Sequence, residues 1–254
     1  MAERVTFPST SGPLLAGVVD LPEGPVRGWA VLSHGFTLGK DSPAASRIAK
    51  QLARDGVGVL RFDNLGLGDS EGDWGDGSFS RKVEDTAQAV RFMDSTGRPV
   101  RLLVGHSFGG AAAIAAAHLA DGVRAVASIA APYEPKHVEH NYDALLERIE
   151  AEGEALFVAG GKALTLRRHF ITDVRATDLR ERIRTLRRAL LVMHSPTDNT
   201  VGVRNASQIF QTARHPRSFV ALEGADHLLT GKGQAARAAR AARIISAWAD
   251  PYLS

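Results

Sequence analysis

The sequence predicts an α/β architecture: a mostly parallel eight-stranded sheet flanked by helices on both faces, with a small cap inserted over one end. Three observations predict it. Short, mostly apolar runs such as 100–104 and 189–194 alternate with longer stretches of helical spacing, as expected for parallel strands buried on both faces and joined by crossover helices. The first two strand candidates, 5–7 and 14–20, have no helix between them, which suits an antiparallel hairpin at one edge. Finally, 254 residues with 44% hydrophobic and 23% charged content are enough for one ordinary domain with a large core.

In chain order, the hairpin is followed by a third strand at 29–33, a helix at 43–55, a fourth strand at 57–62 and a helix at 80–96. The fifth strand, 100–104, runs into a small-residue helix at 108–121, and a sixth strand follows at 123–129. Residues 132–188 are too long for a plain crossover, so the core is expected at 1–131 and 189–254 with 132–188 as the cap. Within the cap, 155–159 and 162–166 flank Gly160-Gly161, a two-residue hairpin signal. The basic run 180–188 carries Leu179, Ile183 and Leu186 at helical spacing, which reads as an amphipathic helix with its charges in water. Strand 189–194, helix 203–213, strand 218–222 and helix 234–249 complete the core. The recurring Ala-Ala-Arg of the last helix is composition, since Ile244, Ile245 and Trp248 continue it as a packed helix.

Chemistry concentrates at strand ends. Gly105-His106-Ser107-Phe108-Gly109 joins the fifth strand to its helix, the G-x-S-x-G pattern that exposes a serine hydroxyl on a strained turn, with glycines removing the side chains that would clash. A serine hydroxyl is a weak nucleophile and needs an imidazole to take its proton and a carboxylate to orient that imidazole. In the fold that uses this turn, the acid and then the histidine follow the serine, each on a loop after a strand. Asp198 follows strand 189–194 and His227 follows strand 218–222. Asp226 is a poor acid because adjacent side chains on an extended segment point apart. Glu134, after the sixth strand, is the rival to Asp198, which could instead be a turn former. The oxyanion donors would be the backbone N–H groups of Phe108 and Phe36, the latter on the loop after the third strand where Gly35 permits a tight bend. His34 fits a ring that pins this loop better than a catalytic base. Gly35, His106, Val201 and Leu228 are expected to line the substrate site.

Composition excludes several classes. The chain has no cysteine, which rules out disulfides, thiolate metal sites and thiol redox chemistry and fits a reducing compartment. A net charge of +3 from nearly balanced acids and bases does not argue for nucleic acid. The amino terminus lacks a secretory pattern, and no apolar run approaches the roughly 20 residues that span a bilayer. A cytoplasmic protein without membrane or nucleic-acid partners is expected. His137-Val138-Glu139-His140 offers two imidazoles flanking a carboxylate, but without a further ligand cluster no metal site is assigned.

With these motifs in place, the chain resembles the α/β-hydrolase superfamily over nearly its full length, including Ser33-His34-Gly35-Phe36 and the loop Arg61-Phe62-Asp63-Asn64-Leu65-Gly66-Leu67-Gly68-Asp69-Ser70. Within it, the chain is similar to the hydrolase region of bacterial proteins fused to an OsmC-like domain, on Gly105-His106-Ser107, Pro196-Thr197-Asp198-Asn199-Thr200-Val201-Gly202 and Asp226-His227-Leu228-Leu229. That subfamily also resembles serine carboxylesterases and dienelactone-hydrolase-like enzymes. Because the OsmC-like chemistry needs cysteines, no peroxidase activity carries over, and a stand-alone hydrolase is expected. The resemblance implies a cofactor-free carboxylic ester hydrolase acting on a small ester, with Ser107, His227 and Asp198 as its triad. A serine nucleophile argues against haloalkane or epoxide chemistry in this fold. Thioesters, amides, peptides and acyl transfer on the same triad stay open, as does a ligand-binding protein with slow turnover. The oligomeric state is not readable.

Overall fold

The computed structural model describes all 254 residues. Its strands are β1 (Ala2–Pro8), β2 (Leu14–Asp20), β3 (Gly28–Ser33), β4 (Val57–Phe62), β5 (Val100–His106), β6 (Ala125–Ile129), β7 (Glu154–Ala159), β8 (Lys162–Arg167), β9 (Ala189–His194) and β10 (Arg217–Ala221). The helices are α1 (Pro43–Arg54), α2 (Phe79–Ser95), α3 (Phe108–Ala116), α4 (Leu146–Glu152), α5 (Arg168–Ala176), α6 (Leu179–Arg184), α7 (Arg204–Thr212) and α8 (Gln234–Ala249).

Eight strands form one sheet in the order β1-β2-β4-β3-β5-β6-β9-β10. β1 with β2 and β2 with β4 pair antiparallel, and every other neighbour is parallel. The mostly apolar runs explain the centre: every residue of β4, β6 and β9 is buried, because helices cover both faces. One face packs on α1 and α8 through Ile48, Leu52, Ala241 and Ile245. The other packs on α2, α3, α6 and α7 through Val90, Ile114, Ile183 and Ile209. α3 consists of Gly and Ala apart from Phe108 and Ile114, and all its residues are buried. Small side chains are required there because larger ones would overpack a helix enclosed on every side.

Several boundaries differ from the sequence expectation. The helix expected at 108–121 ends at Ala116 and tightens into a 3-10 turn at Ala117–Leu119. The amphipathic run 180–188 is helical only over Leu179–Arg184, capped by the Asp178 carboxylate, and the chain turns at Arg187 with φ 50°. Residues 132–188 hold two 3-10 turns, α4, the isolated hairpin β7-β8, α5 and α6. Arg167 of β8 ties this segment to the core by pairing with Asp73 at 2.8 Å and with Asp76. No helix is long and apolar enough to cross a membrane.

Candidate active site

The turn between β5 and α3 places Ser107 at φ 54°, ψ −127°, a strained conformation for a residue with a Cβ. The surroundings hold it there. The Ser107 N–H donates to the Ile129 carbonyl of β6 at 2.7 Å, and its own carbonyl accepts from the Gly110 N–H at 2.7 Å. The flanking glycines are needed because the chain passes too close for side chains. A Cβ at Gly105 would lie 2.2 Å from the Gly109 carbonyl oxygen, and one at Gly109 would lie 2.2 Å from the Ser33 carbonyl oxygen.

Loops after β9 and β10 bring two further groups to this serine. The Ser107 hydroxyl donates to His227 Nε2 at 2.9 Å, and His227 Nδ1–H donates to Asp198 Oδ2 at 2.8 Å. The Asp198 side chain is fully buried. Burial alone would raise its pKa, but the hydrogen bond from His227 and the backbone N–H groups of Val201 and Thr200, each 2.9 Å from Oδ1, hold it below the usual carboxylate range. An ionised acid therefore fixes one imidazole tautomer and leaves Nε2 free to accept the serine proton. His194, at the end of β9, also approaches Asp198 at 3.6 Å, but burial lowers its pKa and its Nε2–H donates to the Val201 carbonyl at 2.6 Å. It braces the acid loop. Glu134 lies elsewhere, paired with Lys136 at 3.3 Å on the surface.

The loop after β3 runs alongside the serine: a Cβ at Gly35 would stand 3.5 Å from Ser107 Cβ. His34 pins it, its Nδ1–H donating to the Gly35 carbonyl at 2.8 Å while Nε2 accepts from the Asn64 N–H at 3.3 Å. Burial, with a contribution from Lys82, keeps this ring well below its usual pKa and so neutral. The Phe36 ring is wedged among Trp74, Phe108, Phe157 and Phe170 at centroid distances of 5.6 to 5.8 Å. Phe36 N–H makes no hydrogen bond to the protein backbone, and Phe108 N–H lies in the first turn of α3, where no intrahelical acceptor exists. Two free donors thus flank Ser107.

A cavity of about 490 Å³ lies over this group. Gly35, Val201 and Leu228 line it, together with Phe36, Phe108 and Ser107. His106 does not. It is only 1% exposed, and its Nε2–H donates to the His227 backbone carbonyl at 2.6 Å. Successive strand residues face opposite ways, so the residue before Ser107 points beneath the site, where burial and then the nearby His227 push its pKa down to about 4. It anchors the histidine loop from outside the cavity lining.

Sequence reasoning missed the residues that 132–188 contributes to the cavity, among them His137, His140 and Phe157. The two imidazoles stand 4.9 Å apart, but Glu139 turns away to Arg175 at 2.7 Å. No group of three or more His, Cys, Asp or Glu residues is placed to hold a metal ion.

Comparison with known proteins agrees with this architecture. A family model described as alpha/beta hydrolase matches residues 30–241. The esterase domain of a Rhodothermus marinus protein is 38% identical over 100% of both chains, with a TM-score of 0.79. Est1E from Butyrivibrio proteoclasticus with ferulic acid bound shares the fold at 17% identity and TM-score 0.76, covering 95% of this chain and 97% of that one. Mouse alpha/beta hydrolase domain-containing protein 10 does so at 18% and 0.77, covering 98% and 99%. No curated protein sequence matches.

Proposed function

The chain belongs to the alpha/beta hydrolase family, and on that premise we propose that it is a serine carboxylesterase for small, short-acyl esters. The observation that carries the reading is the continuous relay from the Ser107 hydroxyl through His227 to buried Asp198, at 2.9 and 2.8 Å. Ser107 Oγ attacks the ester carbonyl while His227 Nε2 takes its proton. The carbonyl oxygen becomes an oxyanion and accepts hydrogen bonds from the Phe36 and Phe108 N–H groups, donors each typically worth about 2.7 to 4 kcal/mol in the barrier. His227 then returns the proton to the departing alcohol, leaving an acyl-serine. Water, deprotonated by the same imidazole, cleaves that ester, and Ser107 recovers its proton as the acid leaves. Asp198 holds the Nδ1–H throughout and stabilises the transient imidazolium.

The 38% identity to an esterase domain supports the ester class. The likeness to hydrolase regions fused to OsmC-like domains belongs to the same reading and rests on the loop motifs. A cytoplasmic location is part of the same proposal, and a chain without cysteine is compatible with a reducing compartment. The test is a substrate panel in which esters, thioesters and amides share one acyl group. Ester kcat/KM should exceed the others by at least about tenfold; a thioester or amide leading the panel would replace the proposed class.

A further inference from the structure

A second, smaller cavity of about 40 Å³ lies on the far side of Phe36, with room for a group the size of two or three waters. It shares Gly35, Phe36, Thr37 and Phe108 with the cavity over Ser107, so the two adjoin across the residues that hold the oxyanion donors. Among its polar lining residues, three buried side chains outside the Ser107 relay are short of partners. Lys82 of α2 is 6% exposed, and its Nζ donates to Asn64 Oδ1 and to no other group of the protein. Asn64, 9% exposed, leaves its Nδ2 without a partner. Asp85, fully buried, accepts from the Ser9 hydroxyl at 2.7 Å through Oδ1 and leaves Oδ2 without one. Buried polar groups in folded proteins are mostly satisfied. Here the unused donors of Lys82 and Asn64 and an unused acceptor line one cavity with the apolar Leu65, Trp74 and Phe170 and the polar Thr37, Ser78 and Arg81, whose guanidinium is engaged with Thr10 and Glu84.

We propose that this cavity is the subsite for the far end of the acyl chain, and that the preferred ester carries a hydroxyl there. The inference deepens the esterase reading and rests on it. With the carbonyl oxygen on Phe36 and Phe108, an acyl chain directed past their rings reaches the cavity, where aromatic and aliphatic walls take its methylenes. A hydroxyl complements the three buried side chains because it accepts from Lys82 or Asn64 while donating to Asp85. A carboxylate would satisfy the donors but face Asp85.

The experiment compares ethyl 3-hydroxypropanoate, 4-hydroxybutanoate and 5-hydroxypentanoate with the alkyl esters in which methyl replaces the hydroxyl, by pH-stat. At one chain length the wild-type hydroxy ester should exceed its alkyl counterpart in kcat/KM by about tenfold, the size of a hydrogen bond to a buried charged group. Lys82→Met should bring that ratio to about one, and Asn64→Leu should lower it about threefold. If Lys82→Met does not fold by circular dichroism, Asn64→Leu decides. A wild-type ratio near one at every length, or ratios unchanged in the folded variants, overturns the proposal. Ethyl hydrogen succinate outpacing every hydroxy ester would overturn the neutral-hydroxyl assignment. Wild-type ethyl acetate turnover, and its loss in Ser107→Ala, reports separately on the esterase reading.

Discussion

At the scale of single residues, Asp198 and His106 show how far position decides role. Asp198 is the acid that reaches His227, and its charge is held by three hydrogen bonds inside the protein. Asp198→Asn should therefore fold normally yet lose about 10⁴ in kcat, since an amide permits the wrong imidazole tautomer. Glu134→Gln should leave kcat within about twofold, because Glu134 lies on the surface beside Lys136. The reverse pattern in steady-state kinetics would move the acid to the preceding strand. The Ser, Asp and His positions were readable because each sits on a short polar turn after an apolar strand. The role of His106 was not readable. Its neighbour Ser107 sits in the cavity while His106 points under it, and that difference comes from strand alternation at the strained turn. Lys82 gave no signal either, since a lysine on an amphipathic helix ordinarily faces water.

At the scale of elements, the closeness of β5, α3 and β3 is what positions the serine. Gly105→Ala would bring a methyl to 2.2 Å of a backbone oxygen and should cost at least about 1–3 kcal/mol in chemical denaturation. A variant as stable as wild type would show that the turn can relax. The strands were legible because mostly apolar runs of five or six residues, too short for a helix, recur between helical stretches. The 132–188 segment was less so: its 3-10 turns are too short to show a period, and the aromatic group around Phe36 draws Trp74, Phe157 and Phe170 from separate segments. In the proposed reading those rings bound the acyl side of the site. Across p-nitrophenyl esters from acetate to palmitate, kcat/KM should rise over the first few carbons, at about 0.8 kcal/mol per buried methylene, and then fall. A maximum at long chains, with activation at a lipid-water interface, would indicate a lipase with a mobile lid.

At the scale of the whole molecule, the site is built over neutral, buried imidazoles, and this ties stability to pH. His106 has its folded pKa pushed to about 4, below the ordinary value near 6.5 that applies when the chain unfolds. Between those values the unfolded chain binds the extra proton, so stability is full above pH 6.5 and falls as pH drops toward 4, by about 3 kcal/mol for this one residue. His34 adds to the loss in the same direction. Urea denaturation at pH 7 and pH 4.5 should show that decline, and a flat profile would mean that His106 protonates in the folded state without cost. The central claim is that Ser107 is the nucleophile of an ester-cleaving relay, and covalent labelling tests it most directly. After treatment with a fluorophosphonate, the intact mass should rise by one phosphonyl group, peptide mapping should place it on Ser107, and ester turnover should disappear in step with labelling. A label on another residue, or full ester turnover by a protein completely labelled at Ser107, would contradict the account.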